Sequence, residues 1–360
     1  MKDNLSGNIG EWSEFYAFCF LAGQGIVYCA NEEAQKTGEF LPIKGFRRIG
    51  SGGEAIAYLC AHDVIQVMDA DNQVCLAEIP QREFANQAAY LYRAICANKQ
   101  QRTFVVPLTE EFMSKIYASS LKAPSDSKSD LIMSVSDIHT GIVTTVGWSI
   151  KSELGASPTL LNASKSTNFT YEIIGLDARY IDEINSINSQ TKIIDRIRAI
   201  RDHGAMLEFH SLANKNFASN LTIIDSAFPR VLADALLHYY EGNSGLLSDA
   251  VSVLTDKNHY QMLNEKWYEI KFKDFLVAVA LGMKPATLWE GKDEANGGYL
   301  VVRKDGDVVA YHIYNRDDFK NYLLSSTKFD RASTSKHNFA SIYTREERAF
   351  INLNLQIRFI

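Results

Sequence analysis

The chain has 360 residues, 46% of them hydrophobic and 22% charged, with a formal net charge of −6 at pH 7. That composition buries a large core, excludes a disordered or fibrous protein, and corresponds by length to one large or two interwoven domains. No apolar run approaches the roughly 18–20 residues of a membrane span, and MKDNLSGNIGEWSEF lacks the basic and apolar regions of a signal peptide, so a cytoplasmic protein is expected. Cys19, Cys29, Cys60, Cys75 and Cys96 are odd in number, confined to the first hundred residues and without a CxxC pair. This excludes a disulfide framework and a structural zinc site and leaves reduced, mostly buried thiols. The acidic balance argues against DNA binding in general, but a duplex senses the local field, so a DNA enzyme of this composition needs a basic cleft on an acidic body.

Gly10 to Gly23 is expected to be helical, capped by Ser6 or Asn8 and ended by Gly23 or Gly25, with Trp12, Phe15, Cys19 and Phe20 as its apolar stripe. Glu11 and Glu14 share a face beside that stripe, as solvated N-terminal charges or as carboxylates serving a site. IGSGGEAIAY (Ile49 to Tyr58) lacks the Gly-Lys-Ser/Thr ending of a phosphate loop and follows no clear strand, so it is not read as one, although Glu54 stays in reserve as a metal ligand. Ala77 to Asn98 carries a helical stripe at Phe84, Ala88, Leu91 and Ile95 with Arg82 and Arg93 outside. Lys115 to Lys128, with Pro124 and no periodicity, is a loop.

Leu131 to Ser136 and Ile142 to Ile150 are rich in Ile, Val, Thr and Trp around the turn residues DIHTG, which is a β-hairpin signal. A turn centred near His139 and Thr140 sets Asp130 opposite Ser149 and makes Lys151 its diagonal neighbour. Side chains alternate along a strand, so Ser149 and Lys151 share a face while Ile150 enters the core. Asp137, the rival carboxylate, sits at the closed end, roughly 10–14 Å from Lys151 at ~3.3 Å per residue, and is read as a turn cap. An Asp, a hairpin and a Lys on the returning strand is the pattern of the PD-(D/E)XK nuclease site. Phosphodiester hydrolysis needs carboxylates to hold a hard divalent cation and a lysine to orient the attacking water. The bland alternative is a surface hairpin whose Asp and Lys form an ion pair.

The segment that follows runs through Gly155 and Pro158 into Ser, Thr and Asn, a polar loop that cannot form a core. Thr191 to His210 is expected to be one helix, with Ile193, Ile197, Ile200, Leu207 and Phe209 inside and Arg196, Arg198 and Arg201 outside. Phe228 to Tyr240, Leu246 to Leu254 and Trp267 to Leu281 also read as helices, and His203, His210 and His238 have no metal-binding spacing. Tyr299 to Tyr314 is a second hairpin closed at Asp305-Gly306, and Arg316 to Leu324 a helix. Lys328 to Phe350 is the basic, hydroxyl-rich tract, gathering Lys328, Arg331, Lys336, His337, Arg345 and Arg348 with Ser333, Thr334, Ser335 and Asn338 for DNA contact, since guanidinium groups pair bidentately with guanine edges. FINLNLQIRF (Phe350 to Phe359) alternates as a closing strand.

GEWSEFYAF, GWSIKSELGASPTLLNASKSTNF, GGYLVVRKDGDVVAYHIYNRDDFKNYLL, KFDRASTSKHNFASIY and FINLNLQIRF, taken together and in this order, resemble the HpaII family of type II restriction endonucleases. The resemblance implies an α/β (α+β) fold with a PD-(D/E)XK-like core, a mixed central sheet flanked by helices, and an added DNA-recognition region. Its segments would be 1–180 (the core, with the catalytic hairpin at 129–152), 181–296 (mainly helical) and 297–360 (hairpin and DNA-contacting tail). It implies Mg2+-dependent cleavage of double-stranded DNA at a short palindrome, CCGG leading, by a homodimer whose system includes a cognate DNA methyltransferase. Asp130, Ser149, Lys151 and Glu14 would be catalytic, with Asp130, Glu14 and Glu153 as metal ligands. Because Ser149 stands where the motif usually has an acidic residue, Glu14 is the carboxylate expected to complete the set, with Glu153 as its rival. Ser152, Ser157, Thr159, Asn162, Ser164, Lys165, Thr167 and Asn168 become candidates to touch DNA. A non-catalytic DNA-binding protein and a less specific nuclease are the competing readings.

Overall fold

The computed structural model describes residues 5–123, 129–337 and 339–360. Residues 124–128 of the loop before the hairpin, Pro124 included, and Asn338 of the basic tract lie outside them. The chain folds into two compact units, Met1–Pro158 with Asp293–Tyr322, and Thr159–Lys292 with Leu323–Ile360. The expected segment 297–360 is therefore shared between both units, and the unit holding the hairpin breaks off at Pro158 and resumes over Asp293–Tyr322.

The first unit is organised by the helix Ile9–Gln24. Asn8 is its N-cap: the Asn8 side chain accepts the Glu11 N–H at 3.0 Å while the Glu11 carboxylate accepts the Asn8 N–H at 2.9 Å, and Gly25 ends the helix in the left-handed region. The helix packs on a nine-stranded mixed sheet whose spatial order is Ile26–Ala30, Val308–Tyr311, Gly298–Val302, Val143–Ser152, Leu131–Ser136, Lys36–Ile49, Ala55–Ala61, Val64–Asp69 and Val74–Pro80. Trp12, Phe15 and Phe18 are fully buried in a core shared with Leu131, Met133, Trp148, Ile150 and Leu300. The Phe18 ring meets Phe46, Tyr58 and Phe84 at 5.2, 4.9 and 5.8 Å. Truncating such a side chain to Ala typically costs about 3–5 kcal/mol. The opposite face, with Tyr299 and Tyr311, is covered by Phe319 of the helix Arg316–Ser325 at 5.0 and 5.1 Å. Helices thus flank the mixed sheet on both faces.

Two features of this unit differ from the sequence reading. Ala77 to Pro80 is strand and the helix begins at Gln81, because a residue before proline is held extended and Pro80 then sets the helix start. Ile49 to Tyr58 does follow a strand, the fourteen-residue Lys36–Ile49. Its first half pairs with Ile26–Ala30 and its second with Leu131–Ser136 and Ala55–Ala61, with a register shift at Gly45, where a Cβ would meet the Tyr58 carbonyl at 2.7 Å.

The second unit is built on the antiparallel sheet Met206–Leu212, Asn168–Ile174, Arg348–Asn354, Ile342–Arg345 and a three-stranded sheet of Thr159–Leu161, Ile357–Phe359 and Thr327–Phe329. The helix Phe228–Tyr240 is pinned to the larger sheet by the Tyr171 hydroxyl donating to Ala233 O at 2.7 Å and the Tyr240 hydroxyl to Asn354 O at 2.8 Å. The expected helix over Thr191 to His210 is a helix only over Lys192–Asp202; Gly204 at φ 76 turns the chain and Met206–Leu212 joins the sheet. Arg196, expected outside, is buried and donates to the carbonyls of Asn185, Ile187 and Ala340. Phe350 to Phe359 is two strands in different sheets, divided at Leu355 and Gln356. Among the described residues no helix is long and apolar enough to cross a membrane.

Candidate active site

The Leu131–Ser136 and Val143–Ser152 strands pair antiparallel with Leu131 opposite Trp148, so Asp130 stands at the open end opposite Ser149. The Asp130 N–H continues the ladder to Trp148 O at 2.8 Å, and its Oδ2 accepts the Ile150 N–H at 2.6 Å and the Ser149 hydroxyl at 3.4 Å. The carboxylate is thereby fixed by backbone, with the Ser149 contact the long one. Asp137 caps the closed end: its Oδ1 accepts the N–H groups of His139 at 2.7 Å and Thr140 at 3.1 Å, and the Tyr314 hydroxyl holds its acidity at about 2.

The helix Ile9–Gln24 brings Glu14 to the end of the hairpin. Ile9, Gly10 and Glu14 on one side and Lys151, Ser152 and Gly155 on the other line a small cavity of about 250 Å³. The two acidic residues of this helix separate in role. Glu11 is used by the cap and by a 2.5 Å ion pair with Lys122. Glu14 is half-buried, and desolvation of its carboxyl, reinforced by the Asp130 charge, raises its pKa to about 8 against the opposing pull of Arg48 and Lys151. Arg48, which the sequence reading did not single out, donates to Ser120 O and Leu121 O at 2.8 and 2.9 Å and lies over the Phe15 and Phe18 rings. Tyr299 was missed as well. It pairs with Ser149 in the sheet, is fully buried, and its hydroxyl has no hydrogen-bond partner among the described residues, while the Asp130 charge is among the groups that keep it protonated.

Glu153 lies one residue beyond the strand end at Ser152, donates its N–H to Val302 O at 2.8 Å, and its charge acts on Tyr311 and Tyr322. Glu54 sits in the turn after Lys36–Ile49, where its carboxylate accepts the Ser119 hydroxyl and the Gly52 N–H. The structure thus brings Asp130, Ser149, Lys151 and Glu14 together, engages the Glu54 carboxylate with Ser119 and Gly52, and places Glu153 just past the strand end.

The family model described as HpaII restriction endonuclease matches residues 8–359. The chain belongs to the HpaII restriction endonuclease family. It is 39% identical over 363 residues, the whole of both chains, to the type II restriction enzyme HpaII of Haemophilus parainfluenzae. No solved structure matches. Members of the family are type II restriction endonucleases, that is, site-specific deoxyribonucleases, and this chain is such an enzyme.

The residues expected to touch DNA are placed unevenly. Ser152 Oγ accepts the Leu154 N–H at 3.1 Å, Ser157 is half-buried, and Thr159 pairs with Arg358 in the small sheet. Asn162 and Lys165 are exposed, and Ser164 caps the short helix Lys165–Thr167. Thr167 and Asn168 are buried and bonded inside the protein, both to Asn354 and Asn168 also to His337 O at 3.0 Å, which makes them supports of the loop and not its contact surface. Ser333, Ser335 and Lys336 are exposed, His337 is half-buried, and Arg331 lies over the Tyr239 ring at 5.7 Å.

Proposed function

We propose that this enzyme hydrolyses double-stranded DNA at a short palindrome, CCGG leading, with Mg2+ and a PD-(D/E)XK-type site formed by Asp130, Glu14 and Lys151. The observation that carries the reading is that Glu14, whose pKa is raised to about 8 by desolvation and by the Asp130 charge, lines one small cavity with Lys151. A carboxyl kept protonated first by desolvation and then by a neighbouring carboxylate is a donor set that a hard divalent cation relieves. Among the described residues no group of three or more His, Cys, Asp or Glu is placed to hold a metal, so Asp130 and Glu14 would be its protein ligands and the remainder would come from DNA phosphate and water. When bound, the cation supplies positive charge against the charge developing on the phosphoryl group.

The chain's own groups do the rest. Asp130, held by the Ile150 N–H, is preorganised, and Lys151 orients the water whose oxygen bonds to phosphorus as the P–O3′ bond breaks and O3′ takes up a proton. Exposed Asn162, Lys165, Arg331, Ser333, Ser335 and Lys336 contact the duplex. A two-fold palindrome is met by a homodimer, and a methyltransferase of the same specificity protects the host. The test is plasmid digestion. Discrete fragments with Mg2+, blocked by methylation of CCGG, are expected; smearing would mean a less specific nuclease, and a band shift without cleavage a DNA-binding protein.

A further inference from the structure

The sheet of the second unit ends in a two-stranded ribbon, Ile342–Arg345 and Arg348–Asn354, turned by Glu346 and Glu347 at φ 52 and 62. One face of it is apolar: Ile342, Ile351 and Leu353 are buried. The other face carries Tyr343, Arg345, Phe350 and Asn352, which with Thr170 and His210 line a groove of about 650 Å³. We propose that this groove reads base edges of the DNA target, with Asn352 and Arg345 as the specificity-determining groups. The inference rests on DNA being the substrate, as proposed above.

The argument is one of donor chemistry. Asn352 Oδ1 accepts the Thr170 hydroxyl at 2.8 Å and the Tyr343 hydroxyl at 3.3 Å, which fixes the carboxamide. Its Nδ2 makes no hydrogen bond among the described residues and remains as a donor on the groove wall. Arg345 adds a guanidinium that pairs with Glu346 at 3.6 Å through side chains 75% and 77% exposed, and such a pair holds it only weakly. An acidic group on this face, Glu172, is neutralised by Arg348, whose Nε donates to it at 2.6 Å. The Tyr343 and Phe350 rings stack at 5.8 Å and stiffen the wall. A wall of fixed donors matches an acceptor edge, and in the major groove, which admits a two-stranded ribbon, guanine offers two acceptors, O6 and N7. The carboxylates at the ribbon tip disfavour phosphate, so the groove contributes to sequence discrimination and little to general DNA affinity.

The wild-type target is first defined by sequencing the ends of the plasmid fragments it produces. Binding of fluorescent duplexes carrying that target or a scrambled sequence is then measured in EDTA, where cleavage is off. Asn352→Ala and Arg345→Ala should each weaken target binding roughly ten- to a hundredfold and leave scrambled binding unchanged. Replacing target guanines by 7-deazaguanine should weaken the wild type, and at the guanine that a variant no longer reads it should add nothing further. Arg345 is exposed, so its variant keeps the fold even if Asn352→Ala does not. Equal losses on both duplexes would make these backbone contacts and overturn the proposal, as would unchanged target binding, which would assign the groove to another ligand such as a protein. A wild type that leaves plasmid intact would overturn the nuclease reading and the groove with it.

Discussion

The cavity at Glu14 and the groove at Asn352 handle polar groups in opposite ways. At the cavity Glu14 and Lys151 share a wall within reach of the Asp130 charge, and Glu14 responds to that charge and to desolvation by holding its proton. At the groove the reading groups are a half-buried carboxamide oriented by neutral hydroxyls and an exposed guanidinium, with the nearby carboxylate neutralised by an arginine. Chemistry stores electrostatic strain in the free protein, where stability and pH reveal it. Reading stores none, and its groups register only when DNA arrives.

The largest effect that sharpens this contrast is loss of Lys151. Lys151→Ala should lower cleavage roughly 10²–10⁴-fold with target binding retained, and added Mg2+ should not restore it, because mass action replaces a weakened ligand and not a missing ammonium. Asp130 must be changed with more care. Asp130→Ala strands the Ile150 N–H, at a cost of about 1–3 kcal/mol, so Asp130→Asn, which keeps an acceptor, is the cleaner loss of charge. Cleavage at a normal rate by both Lys151→Ala and Asp130→Asn would remove the hairpin from the chemistry.

Next in size is the pH dependence set by Glu14. Below its ordinary value near 4.5 the carboxyl is protonated in both folded and unfolded chains, so burial is not penalised. Between there and about 8 only the unfolded chain ionises, so stability falls as pH rises, at about 1.4 kcal/mol per unit and on the order of a few kcal/mol in all. Glu14→Gln should therefore melt several degrees above the wild type at pH 8 and equal it at pH 4, with Mg2+ narrowing the gap by favouring the ionised form. Melting curves that stay parallel across pH would show that Glu14 carries no such strain and would break the comparison.

Why the cavity was legible in the sequence and the groove was not follows from range. Asp130, Ser149 and Lys151 lie on one hairpin whose turn residues and alternation set the register, and Glu14 lies on a helix announced by Asn8 and Glu11, so short-range rules suffice. The strands from Ile26 to Pro80 escaped because their pairing depends on Lys36–Ile49 bending at Gly45, which no local pattern shows. Met206–Leu212 was absorbed into a helix because its apolar residues continue the helical spacing across Gly204. The groove gathers Thr170 and His210 from two strands and Tyr343 and Asn352 from a ribbon far along the chain, and their neighbourhood exists only once those strands pair. Arg331 was legible by its basic surroundings; its replacement by Ala should cost roughly 1–3 kcal/mol of target binding if it reads a guanine, and equally on all DNA if it holds the backbone.

The smallest expected effect is at Ser149, and it decides which carboxylate completes the site. Its hydroxyl reaches Asp130 at 3.4 Å, while the Ile150 N–H does so at 2.6 Å, so Asp130 keeps its orientation without the serine. Ser149→Ala should stay within a few-fold of wild-type cleavage, since a weak hydrogen bond contributes about 1 kcal/mol or less. Ser149→Asp adds a third carboxylate to a buried, already crowded set: it should lower stability at neutral pH in EDTA and regain it with Mg2+, whose affinity the extra ligand raises. Were Ser149→Ala instead to lose cleavage as fully as Lys151→Ala, the hydroxyl itself would be in contact with phosphate or water, and Glu14 would no longer be needed to explain a motif that lacks its usual acidic residue.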